Sequence, residues 1–158
     1  LGLQTIHERT ARYIRRGYDL PVFETAVSEL RRRGIDVIVH TILCLPGETK
    51  PDMLQTIQYL NRQDIQGIKL QLLHILKDTD LAEIYASDPF PVPDPQEYYE
   101  LLGSCISHLR PDIVIHRLTG DGPKELLTAP LWTCNKRQVL NQLQSYFKTH
   151  DIWQGKEY

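Results

Sequence analysis

Polar residues recur inside segments that are otherwise apolar, and these are the positions with chemistry to offer. Gln4 interrupts Leu-Gly-Leu-Gln-Thr-Ile, His40 interrupts the β-branched run 35–43, and Lys69 and Gln71 interrupt a run ending at His74. Side chains alternate faces along a strand. Gln4 therefore shares a face with Gly2, His40 with Ile38 and Ile42, and Lys69 with Gln71. In parallel strands, Gln4, His40 and His74 would lie near the C-terminal ends, where a parallel barrel gathers its functional groups. Each residue alone could equally be a core side chain satisfied by backbone. Three in succession favour a common site.

Other segments carry weaker signals. Leu43-Cys44-Leu45-Pro46-Gly47-Glu48-Thr49 leaves the central run through a turn that Gly47 permits. Thr49 or Glu48 can cap the next helix, whose N-terminus attracts anions, although a plain strand-to-helix turn explains the same residues. Arg9, Arg12 and Arg16 share a helical face that is by default solvated, but Arg16, just before Gly17, could swing inward and clamp a carboxylate. Arg31 to Arg33 suit a helix C-terminus. His116, Arg117 and Asp121 crowd a strand and turn that serves equally as a hydrogen-bonded corner or a substrate-facing loop. Ala129-Pro130-Leu131-Trp132 reads as a hydrophobic latch, with Trp132 packing.

These residues need elements to hold them. The pattern predicts strands at 1–5, 35–43, 67–74 and 112–118, and helices at 7–16, 19–33, 51–62, 96–109 and 136–148. Asp19 and Pro21 mark one helix start, and Gly34 its end. Four prolines in 89–95 form a semi-rigid connector. The first three strands alternate with helices, which implies parallel βαβ units with right-handed crossovers. A three-stranded parallel sheet with an appended tail leaves an edge open. With Leu1 rather than methionine at the start, the sequence reads as half of something larger.

The bulk numbers exclude little. The 158 residues carry a net charge of −2, 41% hydrophobic and 24% charged residues, which suits a globular chain and advertises neither nucleic acid nor an anionic membrane. No run approaches the roughly 20 apolar residues of a membrane span, and no signal peptide is read. Cys44, Cys105 and Cys134 are too few and too far apart for a disulfide framework or a local metal motif, pointing to a reducing cytoplasm.

Four stretches taken in order resemble the YhcC/YtqA-type radical S-adenosylmethionine (SAM) proteins: Leu-Gly-Leu-Gln-Thr-Ile-His-Glu-Arg-Thr, Arg-Arg-Gly-Tyr-Asp, His-Thr-Ile-Leu-Cys-Leu-Pro-Gly-Glu-Thr and Ile-His-Arg-Leu-Thr-Gly-Asp-Gly-Pro. That family is distantly similar to the Elongator catalytic subunit and to oxygen-independent coproporphyrinogen oxidase. The resemblance implies an α/β fold: the C-terminal half of a partial (β/α)6 radical SAM barrel of parallel strands, plus a family-specific C-terminal extension. Residues 1–88 would supply strands four to six and residues 89–158 the extension. A 4Fe–4S cluster, with its CxxxCxxC ligands upstream of this chain, would cleave SAM to a 5′-deoxyadenosyl radical. Residues 1–158 alone would be inactive.

By the same resemblance, Gln4 faces the ribose or amino acid group of SAM, Arg16 meets its carboxylate, and His40 sits at a ribose position. Cys44 and Leu45 would border the adenine. His74, Lys77, His116, Arg117 and Asp121 become substrate-side candidates, and none is a metal ligand. Implied partners are SAM, an electron donor such as flavodoxin or ferredoxin, and tRNA, through wobble-uridine modification, without a membrane. Three departures stand out: Cys44 and Asp78 occupy positions where the family has glycine, and Gln71 replaces a histidine. The competing readings are a non-catalytic RNA-binding or scaffolding module using Arg16, Arg117 and Lys136, and, weakest, a phosphate-binding domain built on 45–49, which lacks a glycine-rich phosphate loop.

Overall fold

The computed structural model describes residues 1–120 and 122–158. It is an α/β fold whose main sheet has four parallel strands: β1 (Gly2–Gln4), β2 (Ile38–Leu43), β3 (Gly67–Leu72) and β5 (Val114–Arg117), in that spatial order. Between them run α1 (Glu8–Tyr13), α2 (Leu20–Arg32), α3 (Lys50–Leu60), α4 (Asp80–Ser87) and α5 (Pro95–Ser107). A second, antiparallel pair joins β4 (Ile75–Leu76) to β6 (Leu127–Ala129), and α6 (Lys136–Thr149) follows.

Alternation along β2 is visible as burial. Val39, Thr41 and Leu43 are buried, while Ile38, His40 and Ile42 are half-buried. The buried face also takes Leu3, Ile68, Leu70 and Leu72 and packs on Phe23 and Val27 of α2, Ile57 and Leu60 of α3, and Tyr98 and Leu102 of α5. The half-buried face is left for polar groups. Helix starts follow their sequence signals. Asp52 accepts from the Thr49 backbone N–H at 2.7 Å and from its hydroxyl at 2.6 Å, and Asp94 and Glu97 form a reciprocal box at the head of α5.

Three expectations need correction, and one group of elements was not foreseen. The sheet has four strands, because 114–117 pairs with β3 instead of standing apart, covering backbone groups that an open edge would expose. The expected strand 67–74 breaks after Leu72, so His74 lies between β3 and β4. The expected helix 7–16 ends at Tyr13, and Arg15 (φ 57°) and Gly17 (φ 84°) turn the chain left-handed beyond it. Helix α4 and the short pair β4–β6 had no counterpart in the sequence reading, since strands of two or three residues are too short to show a period.

Leu70 sits at the centre of β3 with no exposed surface. Leu70→Ala should destabilise the fold by about 2–5 kcal/mol, read from urea denaturation; a loss below about 1 kcal/mol would mean this face is not the core.

Candidate functional site

The half-buried sheet face collects one row of residues across all four strands. Gly2 is register partner to His40, His40 to Lys69, and Lys69 to Arg117. Gln4 has left the alternation of an ideal strand, with a φ of 59°. Its side chain folds back over Gly2, where an added Cβ would lie 2.5 Å from the carboxamide nitrogen. The amide thus rests beside His40 because residue 2 has no side chain. Gln4 Oε1 and His40 Nε2 are buried atoms without a hydrogen-bond partner. Burial first, then the charges of Lys69 and Arg117, holds the His40 imidazole below its ordinary pKa, so it is neutral at pH 7.

Arg16 holds Gln4 in this conformation. Its side chain is 1% exposed. Nη1 donates to the Leu3 carbonyl at 3.2 Å and the Thr5 carbonyl at 2.8 Å, the two residues that bracket Gln4. Nε donates to the Tyr18 carbonyl and Nη2 to Glu8 Oε1, both at 2.8 Å. The Tyr18 ring lies 5.1 Å from the guanidinium, and its hydroxyl donates to the Gly2 carbonyl. Four of the five guanidinium N–H groups are therefore engaged inside the protein. Glu8 in turn accepts from the Leu20 backbone N–H at 2.8 Å. Its pKa is lowered: burial would raise it, but the Leu20 N–H and the Arg16 guanidinium outweigh that.

A cleft of about 660 Å³ opens beyond this row, lined by Gln4, Tyr13, Arg15, Ile42, Leu45 and Leu73 among others, with Arg16 at its wall. Arg15 joins two sides of the cleft by an ion pair to Asp80 of α4 at 2.5 Å. Gln4, Arg16 and Leu45 thus come together, while His40 lies lower on the same face. Cys44 does not join them. It lines a separate cavity of about 470 Å³ with Met53, Phe90 and Leu101. Its thiol is pushed up to about 12 by burial, then by Glu97 and Glu48, and so stays protonated. Cys44 also has a φ of 63° and Asp78 one of 59°. Both positions demand a left-handed backbone, which is the physical reason for glycine there.

The remaining candidates are dispersed. His74 packs against Gly120 and Gly122 and accepts from the Gly122 N–H at 3.3 Å. Lys77 is exposed. His116 lies over Gly67 on the site face, and Arg117 is the register partner of Lys69. Asp121 lies outside the described residues. The sequence reading placed Lys69 on the correct face but did not single it out, and it missed Glu8 and Tyr18. Glu8, eight residues before Arg16, was the available signal.

Two implied groups can be tested against this geometry. The cleft's volume suits a drug-sized ligand, its floor of Ile42, Leu45 and Leu73 is apolar, and unpaired polar atoms of Gln4 and His40 sit on the same face. These residues fit a nucleoside such as that of SAM. An iron–sulfur cluster does not fit: among the described residues no group of three His, Cys, Asp or Glu could hold a metal, and all three cysteines are free and separate.

Residues 1–60 match the family model of the radical SAM superfamily, and residues 65–149 that of the Radical_SAM C-terminal domain. The chain is 38% identical over 156 residues to protein YtqA of Bacillus subtilis, covering 99% of this chain and 48% of that protein. It is 32% identical over 152 residues to protein YhcC of Escherichia coli, covering 96% and 49%. It is 22% identical over 142 residues to mouse Elongator complex protein 3, covering 88% and 26%. The chain thus spans about half the length of the curated relatives YtqA and YhcC. Among solved structures, archaeal Methanocaldococcus infernus Elp3 with an N-terminal deletion aligns with a TM-score of 0.82 and 16% identity over 98% of this chain and 36% of that one, a likeness of fold.

The Arg16–Glu8 pair makes a pH-dependent prediction. Glu8 titrates below its ordinary 4.5 when folded. Its ionised form therefore stabilises the fold above that pH, and the contribution is lost as pH falls through the depressed folded value. Wild type should melt above Glu8→Gln at pH 7, with the gap in Tm closing below pH 4.5; a gap independent of pH would remove the carboxylate from the clamp. Arg16→Ala, which strands the Leu3 and Thr5 carbonyls, should cost roughly 3 kcal/mol by chemical denaturation.

Proposed function

The chain belongs to the radical SAM superfamily, and from that premise we propose that residues 1–158 form the nucleoside-holding half of a radical SAM enzyme. One observation carries the reading: Gln4 and His40, on adjacent parallel strands, turn unpaired polar atoms to one face beside an apolar cleft. SAM, when bound and reduced, would supply hydrogen-atom abstraction from a substrate by its 5′-deoxyadenosyl carbon. The cluster that delivers the electron would take its ligands from outside residues 1–158, and the reductant would be a flavodoxin or ferredoxin.

Within that reading the chain's own residues bind and orient. Gln4 offers its carboxamide to the ribose or amino acid group, and neutral His40 offers a hydrogen bond without adding charge. Leu45, Ile42 and Leu73 exclude water from the base. Arg16 acts through Gln4: with four internal acceptors engaged, it is a positioning residue for the carboxamide instead of a direct partner of the ligand carboxylate. Cys44 lines the separate cavity and not the cleft, so its thiol is not offered to the ligand. Wobble-uridine modification of tRNA is the substrate process we favour, supported by the likeness to Elongator complex protein 3.

The full-length protein, reconstituted anaerobically with iron and sulfide and then reduced, should convert SAM to 5′-deoxyadenosine; a colourless protein with no such product would end the reading. Gln4→Ala should weaken SAM binding by about 1 kcal/mol, roughly five-fold, in calorimetry. A double-mutant cycle places Arg16. If it acts through Gln4, Arg16→Lys adds nothing to SAM binding once Gln4 is alanine, whereas a direct contact to the carboxylate makes the two losses additive.

A further inference from the structure

A groove of about 910 Å³ lies between α5, α6 and the short helical turn Leu131–Cys134, and it shares no residue with the cleft or with the Cys44 cavity. Aromatic rings form much of its wall. Trp132 is half-buried and meets Tyr99 edge to face at 6.2 Å, and Tyr146 stacks on His150 at 4.0 Å. Such rings are platforms for planar ligands. The Tyr99 hydroxyl donates to Gln142 Oε1 at 2.9 Å, and the Asn135 amide donates to Gln138 Oε1 at 3.1 Å. Both groove-lining carboxamides are thereby fixed with their NH2 groups left to donate. Asp94, the carboxylate on the wall, is occupied by the Glu97 N–H at 2.9 Å.

Positive charge runs alongside. Helix α6 carries Lys136, Arg137 and Lys148 and no Asp or Glu, in a chain whose net charge is −2. Arg137 and Lys148 are eleven residues apart, roughly three turns and ~16 Å, so they project to one side of the helix. Exposed Asn141 and Gln144 complete that stripe. The groove-lining Gln138, Gln142, Ser145 and Thr149 each follow one member of the stripe by one residue, so the stripe flanks the groove. Among the described residues neither Arg137 nor Lys148 makes an ion pair. An apolar peptide would use the rings and leave these cations idle. A polyanion that carries planar bases uses both.

We propose that the groove between α5 and α6 holds an unpaired segment of RNA, with bases on the Trp132 and Tyr146 rings and phosphates along Arg137 and Lys148. The choice of RNA over another single strand rests on the tRNA reading above; the groove, its rings and its cations do not.

Fluorescence anisotropy of a labelled, mixed-sequence 12-nucleotide RNA with the full-length protein tests this without turnover. The single strand should bind more tightly than the same strand annealed to its complement. Arg137→Gln and Lys148→Gln should each lower the slope of log affinity against log salt by about 0.7. Tyr146→Leu should weaken binding roughly 5- to 100-fold, the scale of one stacked base. Leu131 lines the groove while 65% exposed, so Leu131→Glu should weaken binding too, with the melting temperature unchanged. No binding at low salt, equal affinity for the duplex, or an affinity unmoved by these variants overturns the groove. So does a dimer that Leu131→Glu dissociates while RNA binding stays unmoved, which would give the groove to a second copy of the chain. Variant-sensitive binding that a tRNA transcript does not compete away upholds the groove and overturns the tRNA reading.

Discussion

Parallel pairing on both sides of β2 is the constraint on which the site depends. Strand β2 lies between β1 and β3 in unbroken register with the latter, from Ile38 opposite Gly67 to Leu43 opposite Leu72. Because the side-chain period is two, that register puts His40 and Lys69 on one face and Val39, Thr41, Ile68 and Leu70 on the other. A slip of one residue would send the imidazole and ammonium into the helix-packed core and bring Thr41 and Leu70 out to the site. The apolar cost of such a slip fixes the polar row, so the core residues position the site without touching it.

Strand ends impose a second constraint. Gln4, Cys44 and Asp78 follow or finish strands and adopt left-handed backbone, as does Arg15 at the wall of the cleft. For residues other than glycine this costs roughly 1–2 kcal/mol each. Such strain persists where surrounding contacts over-determine it, and the contacts differ at each position. Arg16 brackets Gln4 through both neighbouring carbonyls, the Cys44 N–H approaches Met53 Sδ at 3.1 Å, and Arg15 is held to Asp80. At Gln4 the result is useful: the reversed backbone carries the carboxamide back over Gly2 to His40, a position a regular strand would deny it.

How far the sequence could be read follows from the range of each cause. Strand β2 and helix α3 were legible because a β-branched run, a turn with Gly47 and a Thr49–Asp52 cap act within a few residues. The face shared by His40 and Ile42 was legible for the same reason. The fourth strand was legible as a strand at 112–118 but not as a member of the sheet, since its pairing joins Val114 and Ile115 to Gly67 and Ile68, more than 40 residues away. Nor was the engagement of Arg16. A helix continued to 16 puts that residue on a solvated face, and only the left-handed turn at Arg15 and Gly17 carries the guanidinium under β1. Glycine at family positions 44 and 78 was visible as a departure, but its meaning, a positive φ, is a property of the backbone.

Engagement of Arg16 also decides how the electrostatics of the site divide. A buried guanidinium is a stable ligand for a carboxylate only if some of its donors remain unspent. Here Glu8, itself anchored by the Leu20 N–H, already supplies the counter-charge. Arg16 and Glu8 therefore form a closed pair whose net field at the cleft is small. Lys69 has no such partner among the described residues, and it stands beside an imidazole that burial and its neighbours keep neutral. Arginine is spent on holding the backbone, where its planar fork satisfies two carbonyls at once, and lysine is left as the point charge facing inward.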